Sequence, residues 1–298
     1  MRHKVVDLEG PVHYLDFGGS GQPLLMVHGL GGSALNWLGV GAPLAETYRP
    51  LAVDLAGFGG TPLFNRSTTV GANAELLHTF ITEVVGEPVT LVGNSMGGHI
   101  AILEASTHPD WVSALVLVDA ATPGVRVRRP ETSMLGAFAT ISIPGLGEAL
   151  LDRQARKLGA EGLVSRALEM VCADPGRVDA ALIEAHVQLT RERERLGRQN
   201  GRAFSQALRS IGLRMADPRF WSRVAKVSAP AMIVHGSLDR VIPVSSAREL
   251  ARRRPDWDLT VLDGVGHVPM MEAPEIFLDV VVNRWSAFRI QTVSEAVS

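Results

Sequence analysis

Six short runs of almost unbroken apolar residues constrain this chain more than any other feature. They are 23–27 (PLLMV), 49–54 (RPLAVD), 89–92 (VTLV), 114–118 (ALVLV), 231–234 (AMIV) and 259–262 (LTVL). A strand with one face in water alternates apolar and polar residues, whereas a strand that is apolar throughout must be covered on both faces. Stretches of helical periodicity lie between the runs, notably 72–85 and 99–107. Strand-helix alternation of this kind predicts an α/β fold with a mostly parallel, doubly wound sheet and right-handed crossovers. Ahead of it, 11–17 (PVHYLDF) follows a Glu9-Gly10 turn and reads as a strand of an opening hairpin.

The alternation is interrupted once. Residues 123–216 contain no convincing strand, so they read as a helical insertion into a core formed by 1–122 and 217–298. Leu163, Val164, Ala167, Leu168 and Val171 recur at helical spacing. Asp174-Pro175 reads as an N-cap followed by proline at the first helical position, and Val178, Leu182, His186 and Leu189 continue one face. The run RERERLGR, 191–198, mixes signs and reads as a solvated helix face. A last amphipathic helix is expected over 273–288, followed by a disordered tail at 291–298.

Bulk composition removes several function classes. Hydrophobic residues make up 46% of the 298 and charged residues 20%, which is ordinary for a globular chain with a large core. The net charge of −2 gives no basic surface for nucleic acid. Residues 1–10 lack the apolar core of a secretory signal, and no run of about 18 apolar residues could span a membrane. A cytoplasmic location is the resulting expectation. The single cysteine, Cys172, excludes an intramolecular disulfide and a cysteine-built zinc site, and reads as a small core residue.

The chemistry is concentrated at strand ends. Gly93-Asn94-Ser95-Met96-Gly97 fits G-x-S-x-G, and it follows one buried strand and opens one helix, the context in which that pattern holds a nucleophile. Glycines two residues either side of Ser95 let the chain turn sharply without striking the neighbouring strand and helix. The turn places the hydroxyl at the carboxyl edge of the sheet, where open α/β sheets bind ligands. His28-Gly29-Leu30-Gly31-Gly32 ends the preceding strand, and the backbone N–H groups of Leu30 and Met96 form a candidate oxyanion hole. The loop has neither the P-loop lysine nor the G-x-G-x-x-G spacing of a phosphate cradle. His28 reads as a scaffold residue that orders the loop.

A serine hydroxyl needs a base. Of nine histidines, His267 stands out, because it lies on a loop directly after a strand at the same sheet edge as Ser95, while His28 is set aside as the scaffold residue of its glycine loop. Asp239, after the strand 231–234, is the candidate acid, the lesser reading being a turn residue that caps the helix starting near Val244. Asp119, after 114–118, is a second candidate. The chain order Ser95, Asp239, His267 is the serine-acid-histidine order of one hydrolase fold and differs from two other well-known orders.

With these pieces in hand, the chain resembles the α/β-hydrolase superfamily along nearly its whole length. The residues that carry the resemblance are 28–32 (HGLGG), 54–59 (DLAGFG), 93–98 (GNSMGG), 236–239 (GSLD) and 266–267 (GH). It implies that the insertion is a helical cap over the active site. Superfamily dehalogenases and epoxide hydrolases use an aspartate nucleophile, and Ser95 departs from both. GNSMGG resembles the meta-cleavage-product hydrolases, which cleave carbon–carbon bonds and typically carry tryptophan after the catalytic histidine; Val268 stands there instead. Three functions follow as expectations. The first is hydrolysis of a small-molecule ester, as in carboxylesterases. The second is C–C cleavage of a dienoate, with Arg191, Arg193, Arg195 or Arg198 holding a carboxylate. The third is a ligand-binding receptor with a slow triad. None implies a metal or organic cofactor.

Overall fold

The computed structural model describes residues 1–123, 132–195 and 198–284. An antiparallel hairpin opens the chain, β1 (Arg2–Asp7) and β2 (Pro11–Asp16). There follow β3 (Pro23–Val27), α1 (Leu38–Leu44), β4 (Arg49–Val53), α2 (Val70–Phe80), β5 (Val89–Asn94), α3 (Met96–Thr107) and β6 (Val112–Val118). Five helices come next: α4 (Thr132–Ile141), α5 (Leu146–Val171), α6 (Ala180–Glu194), α7 (Arg198–Met215) and α8 (Phe220–Lys226). The sheet then resumes with β7 (Ala231–Gly236), α9 (Val244–Arg253) and β8 (Asp258–Leu262), and the described chain closes with α10 (Pro269–Glu272) and α11 (Pro274–Leu278).

The eight strands form one sheet in the order β1-β2-β4-β3-β5-β6-β7-β8. β2 pairs antiparallel with β4, and every pairing from β4 to β8 is parallel. The apolar runs are the reason. Leu25, Val27 and Leu91 face one hydrophobic core, while Leu24, Met26 and Val92 face a second core on the other side of the sheet. Both faces are therefore helix-covered, as an all-apolar strand requires. Among the described residues, no helix is long and apolar enough to cross a membrane.

Three expectations are revised. The helix expected over 273–288 starts at Pro274, a proline at the first helical position, with Ala273 (φ −144°, ψ 58°) separating it from α10, and at Asp279 it passes from α11 into a π-helical turn (Asp279–Arg284) instead of continuing as α-helix. Residues 285–288 and the tail at 291–298 lie outside the described residues. Asp174 does cap, but only a 3₁₀ turn, Pro175–Arg177; Asp179 is the N-cap of α6, accepting from the N–H groups of Ala181 and Leu182. The run 191–198 is not a uniformly solvated face, since Arg193 is drawn into the protein (below). Cys172 is buried at the end of α5, where burial pushes its thiol up to about 12.

Candidate active site

Ser95 joins β5 to α3 with φ 55° and ψ −116°, a left-handed conformation that side-chain-bearing residues rarely adopt. Its N–H donates to the Val118 carbonyl at 2.9 Å, and its own carbonyl accepts from the Ala121 N–H at 2.9 Å. The flanking glycines have no room to be anything else. A Cβ on Gly93 would lie 2.5 Å from the Gly97 carbonyl oxygen, and one on Gly97 would lie 2.4 Å from that of Val27.

The carboxyl ends of β7 and β8 bring two of the sequence candidates together. His267 Nδ1 donates to Asp239 Oδ2 at 2.6 Å, and Asp239 Oδ1 accepts from the N–H groups of Val241 (2.7 Å) and Ile242 (2.9 Å). Asp239 is thus both a turn residue and the histidine's partner. Burial acts to raise its carboxyl, but the His267 and His235 rings and the Ile242 N–H outweigh it and hold the group below the usual range. Because a carboxylate only accepts, Nδ1 carries the proton and Nε2 is left as the free base nitrogen.

Asp119 has a different environment. It lies fully buried at φ 46°, and its Oδ1 accepts from the Gly236 N–H at 2.9 Å, while Oδ2 has no partner among the described residues. Burial, reinforced by the negative charge of Asp239, pushes its carboxyl well above the usual carboxylate range, the opposite direction to Asp239. His235 sits between them, 3.6 Å from Asp119 and 3.5 Å from Asp239, and donates from Nε2 to the Ile242 carbonyl.

Ser95, His267, Leu30 and Met96 line one cavity of about 1290 Å³. Gly29 of the Leu30 loop packs so closely that a Cβ there would meet Ser95 Cβ at 2.9 Å. His28 spends both ring nitrogens on backbone, donating from Nδ1 to the Gly29 carbonyl (2.7 Å) and accepting at Nε2 from the Leu55 N–H (3.0 Å). The far walls come from the inserted helices and are mainly apolar: Phe138, Leu151, Leu168, Leu189, Phe204 and Ile211.

Cations on this wall are mostly committed. Arg193 donates to the carbonyls of Gly57 (2.5 Å) and Gly59 (2.6 Å) and to Asn200. Arg156 pairs with Asp152 at 2.7 Å. Arg191 is exposed and pairs with Glu161 and Glu184; Arg195 is exposed, and the side chain of Arg198 lies outside the described residues. Arg240 also lines the cavity and has no hydrogen bond or ion pair among the described residues.

The chain matches the alpha/beta hydrolase family over residues 24–280. It belongs to that family. One relative of this alpha/beta hydrolase is the 2-hydroxy-6-oxo-6-(2'-aminophenyl)hexa-2,4-dienoic acid hydrolase of Metapseudomonas resinovorans, 30% identical, with the match covering 87% of this chain and 82% of the relative. Among solved structures, it resembles a serine hydrolase involved in carbazole degradation (26% identity, TM-score 0.73, 96% of this chain and 99% of that one). It also resembles a bacterial membrane phospholipase A (28% identity, TM-score 0.71, 97% and 86%).

Two residues of the site carried no signal of their own in the sequence reading. Asn94 was only the variable position of G-x-S-x-G, yet its Nδ2 donates to the carbonyls of both Val118 (3.2 Å) and His267 (3.0 Å). Glu272 lay outside every motif, yet it is buried against the His267 loop. Two clusters could offer three ligands to a metal among the described residues, Asp119–His235–Asp239 and His78–Glu104–His108. The first is the acid pocket just described. In the second, each oxygen of buried Glu104 accepts from one histidine Nδ1, at 2.8 and 3.1 Å.

Proposed function

We propose that this alpha/beta hydrolase cleaves small-molecule esters through an acyl-enzyme on Ser95. The supporting observation is the 2.6 Å Asp239–His267 bond on the wall of the cavity that also contains the strained Ser95 turn. In this reading His267 Nε2 takes the Ser95 proton as Oγ adds to the ester carbonyl. The N–H groups of Leu30 and Met96 hold the resulting oxyanion, and Asp239 stabilises the imidazolium. The alkoxide leaves with the proton from His267. Water, deprotonated by the same ring, then releases the carboxylic acid and restores Ser95. Residues 123–216 act as the cap, and their apolar wall favours a bulky acyl group.

Ser95→Ala should lower kcat on p-nitrophenyl esters by on the order of 10⁶ if the three residues act as one unit. Unchanged turnover in that variant would end the assignment.

A second reading is C–C hydrolysis of a dienoate. The named activity of the Metapseudomonas resinovorans relative favours it, and Arg240 supplies an uncommitted cation on the cavity wall. Of the cap arginines expected for that role, Arg193 is occupied by backbone carbonyls and Arg191 by Glu161 and Glu184. Side-by-side assays with a dienoate and an ester panel decide between them.

A further inference from the structure

Glu272 ends α10, five residues after His267, and is only 2% exposed. Its carboxylate is used almost wholly on backbone. Oε1 accepts from the Asp174 N–H (2.9 Å), and Oε2 accepts from the N–H groups of Ala173 (3.0 Å) and Gly266 (2.9 Å). The nearest guanidinium, that of Arg177, is 4.0 Å away. Ala173 and Asp174 lie just beyond the end of α5, in the insertion, whereas Gly266 immediately precedes His267. One buried anion therefore holds both segments.

Further contacts join the same two segments. The His267 N–H donates to the Val171 carbonyl at 2.6 Å, and Arg177 Nη1 donates to the Gly264 carbonyl at 3.0 Å. The approach is so close that a Cβ on Gly266 would lie 2.5 Å from the Ala173 nitrogen. On its other side, the His267 carbonyl is held by Asn94, next to Ser95.

We propose that Glu272 is a positioning residue that mounts His267 on the end of α5, so that the insertion fixes the base as well as roofing the cavity. The proposal rests on the triad reading above. Its physical basis is that hydrogen bonds to an ionised acceptor are about twice as strong as neutral ones, and that a loop containing Gly264 and Gly266 has little stiffness of its own. Freed from the clamp, the loop shifts and carries the His267 ring out of line with Ser95. A misplacement of about 1 Å at a reacting group costs on the order of 10²-fold in rate.

Glu272→Gln tests this. Its amide NH₂ must face an N–H donor on one side, so at least one bond is lost. The expected result is a fall in kcat of about 10- to 100-fold with KM within about twofold. The rate at which a fluorophosphonate labels Ser95 should fall in parallel, a readout that needs no knowledge of the natural substrate. Phe277→Leu, in the buried core of α11, is the stability control: it should lower the melting temperature and leave kcat and labelling intact. If Glu272→Gln keeps wild-type kcat and labelling while His267→Ala loses both, the clamp falls and the triad stands. If His267→Ala labels as fast as wild type, the triad reading falls and the clamp with it.

Discussion

His99, which is buried, and His186, which is half-buried on the cavity wall, are neutral for the same reason. Burial away from water pushes each imidazole down from 6.5 to about 4. His99 donates from Nδ1 to the Ala121 carbonyl and stacks on Phe220; His186 lines the cavity and leaves Nε2 unpartnered among the described residues. Unfolded, both rings would take a proton near pH 6.5. Between pH 6.5 and 4 the unfolded chain therefore binds more protons, and folding stability falls as the pH drops, by about 3 kcal/mol for fully buried His99 and by less for His186, which faces the cavity. His99→Asn retains a donor near the Nδ1 position and cannot titrate. Urea melts across this range should show the variant losing stability less steeply than wild type; parallel curves would contradict the assignment. Asp119 and Asp239 make the complementary point. Each follows a strand, and only their surroundings set them apart: burial beside the Asp239 charge pushes Asp119 up, while the His267 and His235 rings and backbone N–H groups outweigh burial and hold Asp239 down.

Element ends decide how the insertion meets the core. α6 begins where Asp179 Oδ1 accepts from two backbone N–H groups, at 2.8 and 3.1 Å. Asp179→Ala should cost about 1 kcal/mol, seen as a lower denaturation midpoint with the denaturant slope unchanged. α5 is bent at Gly159, whose φ of 65° and ψ of −179° interrupt the helix, and Gly159 lines the cavity. The bend was not legible in the helical spacing, because glycine interrupts neither the apolar pattern nor the period. The reach of Arg193 was equally invisible. Its neighbours in RERERLGR are charged, so local pattern describes a wet surface, while the carbonyls that bind it come from Gly57 and Gly59, more than 130 residues away.

At the scale of the molecule, the cavity is a product of assembly: its floor is loops at strand ends and its walls are inserted helices. Leu208, buried on α7, belongs to that wall. Leu208→Trp should reduce kcat/KM for long-chain p-nitrophenyl esters more than for the butyrate, since one pocket must then hold both indole and acyl chain. A uniform loss across chain lengths would argue that acyl groups do not extend along α7. A thermal melt of the variant separates this effect from overpacking.

The sequence by itself determined the strands, their burial on both faces, the sharp turn at Ser95 and the residues that could act as acid and base. Those properties are written in short windows: an apolar run, a glycine two residues from a serine, a histidine after a strand. Tertiary structure decided which aspartate His267 touches, that Arg193 turns inward, that the cavity is mainly apolar, and that Glu272 ties the histidine loop to the insertion. Each of these depends on groups separated by tens to hundreds of residues meeting within a few ångströms. Nothing in a local pattern records such a meeting, because the partner that satisfies a buried charge is chosen by packing rather than by sequence neighbourhood.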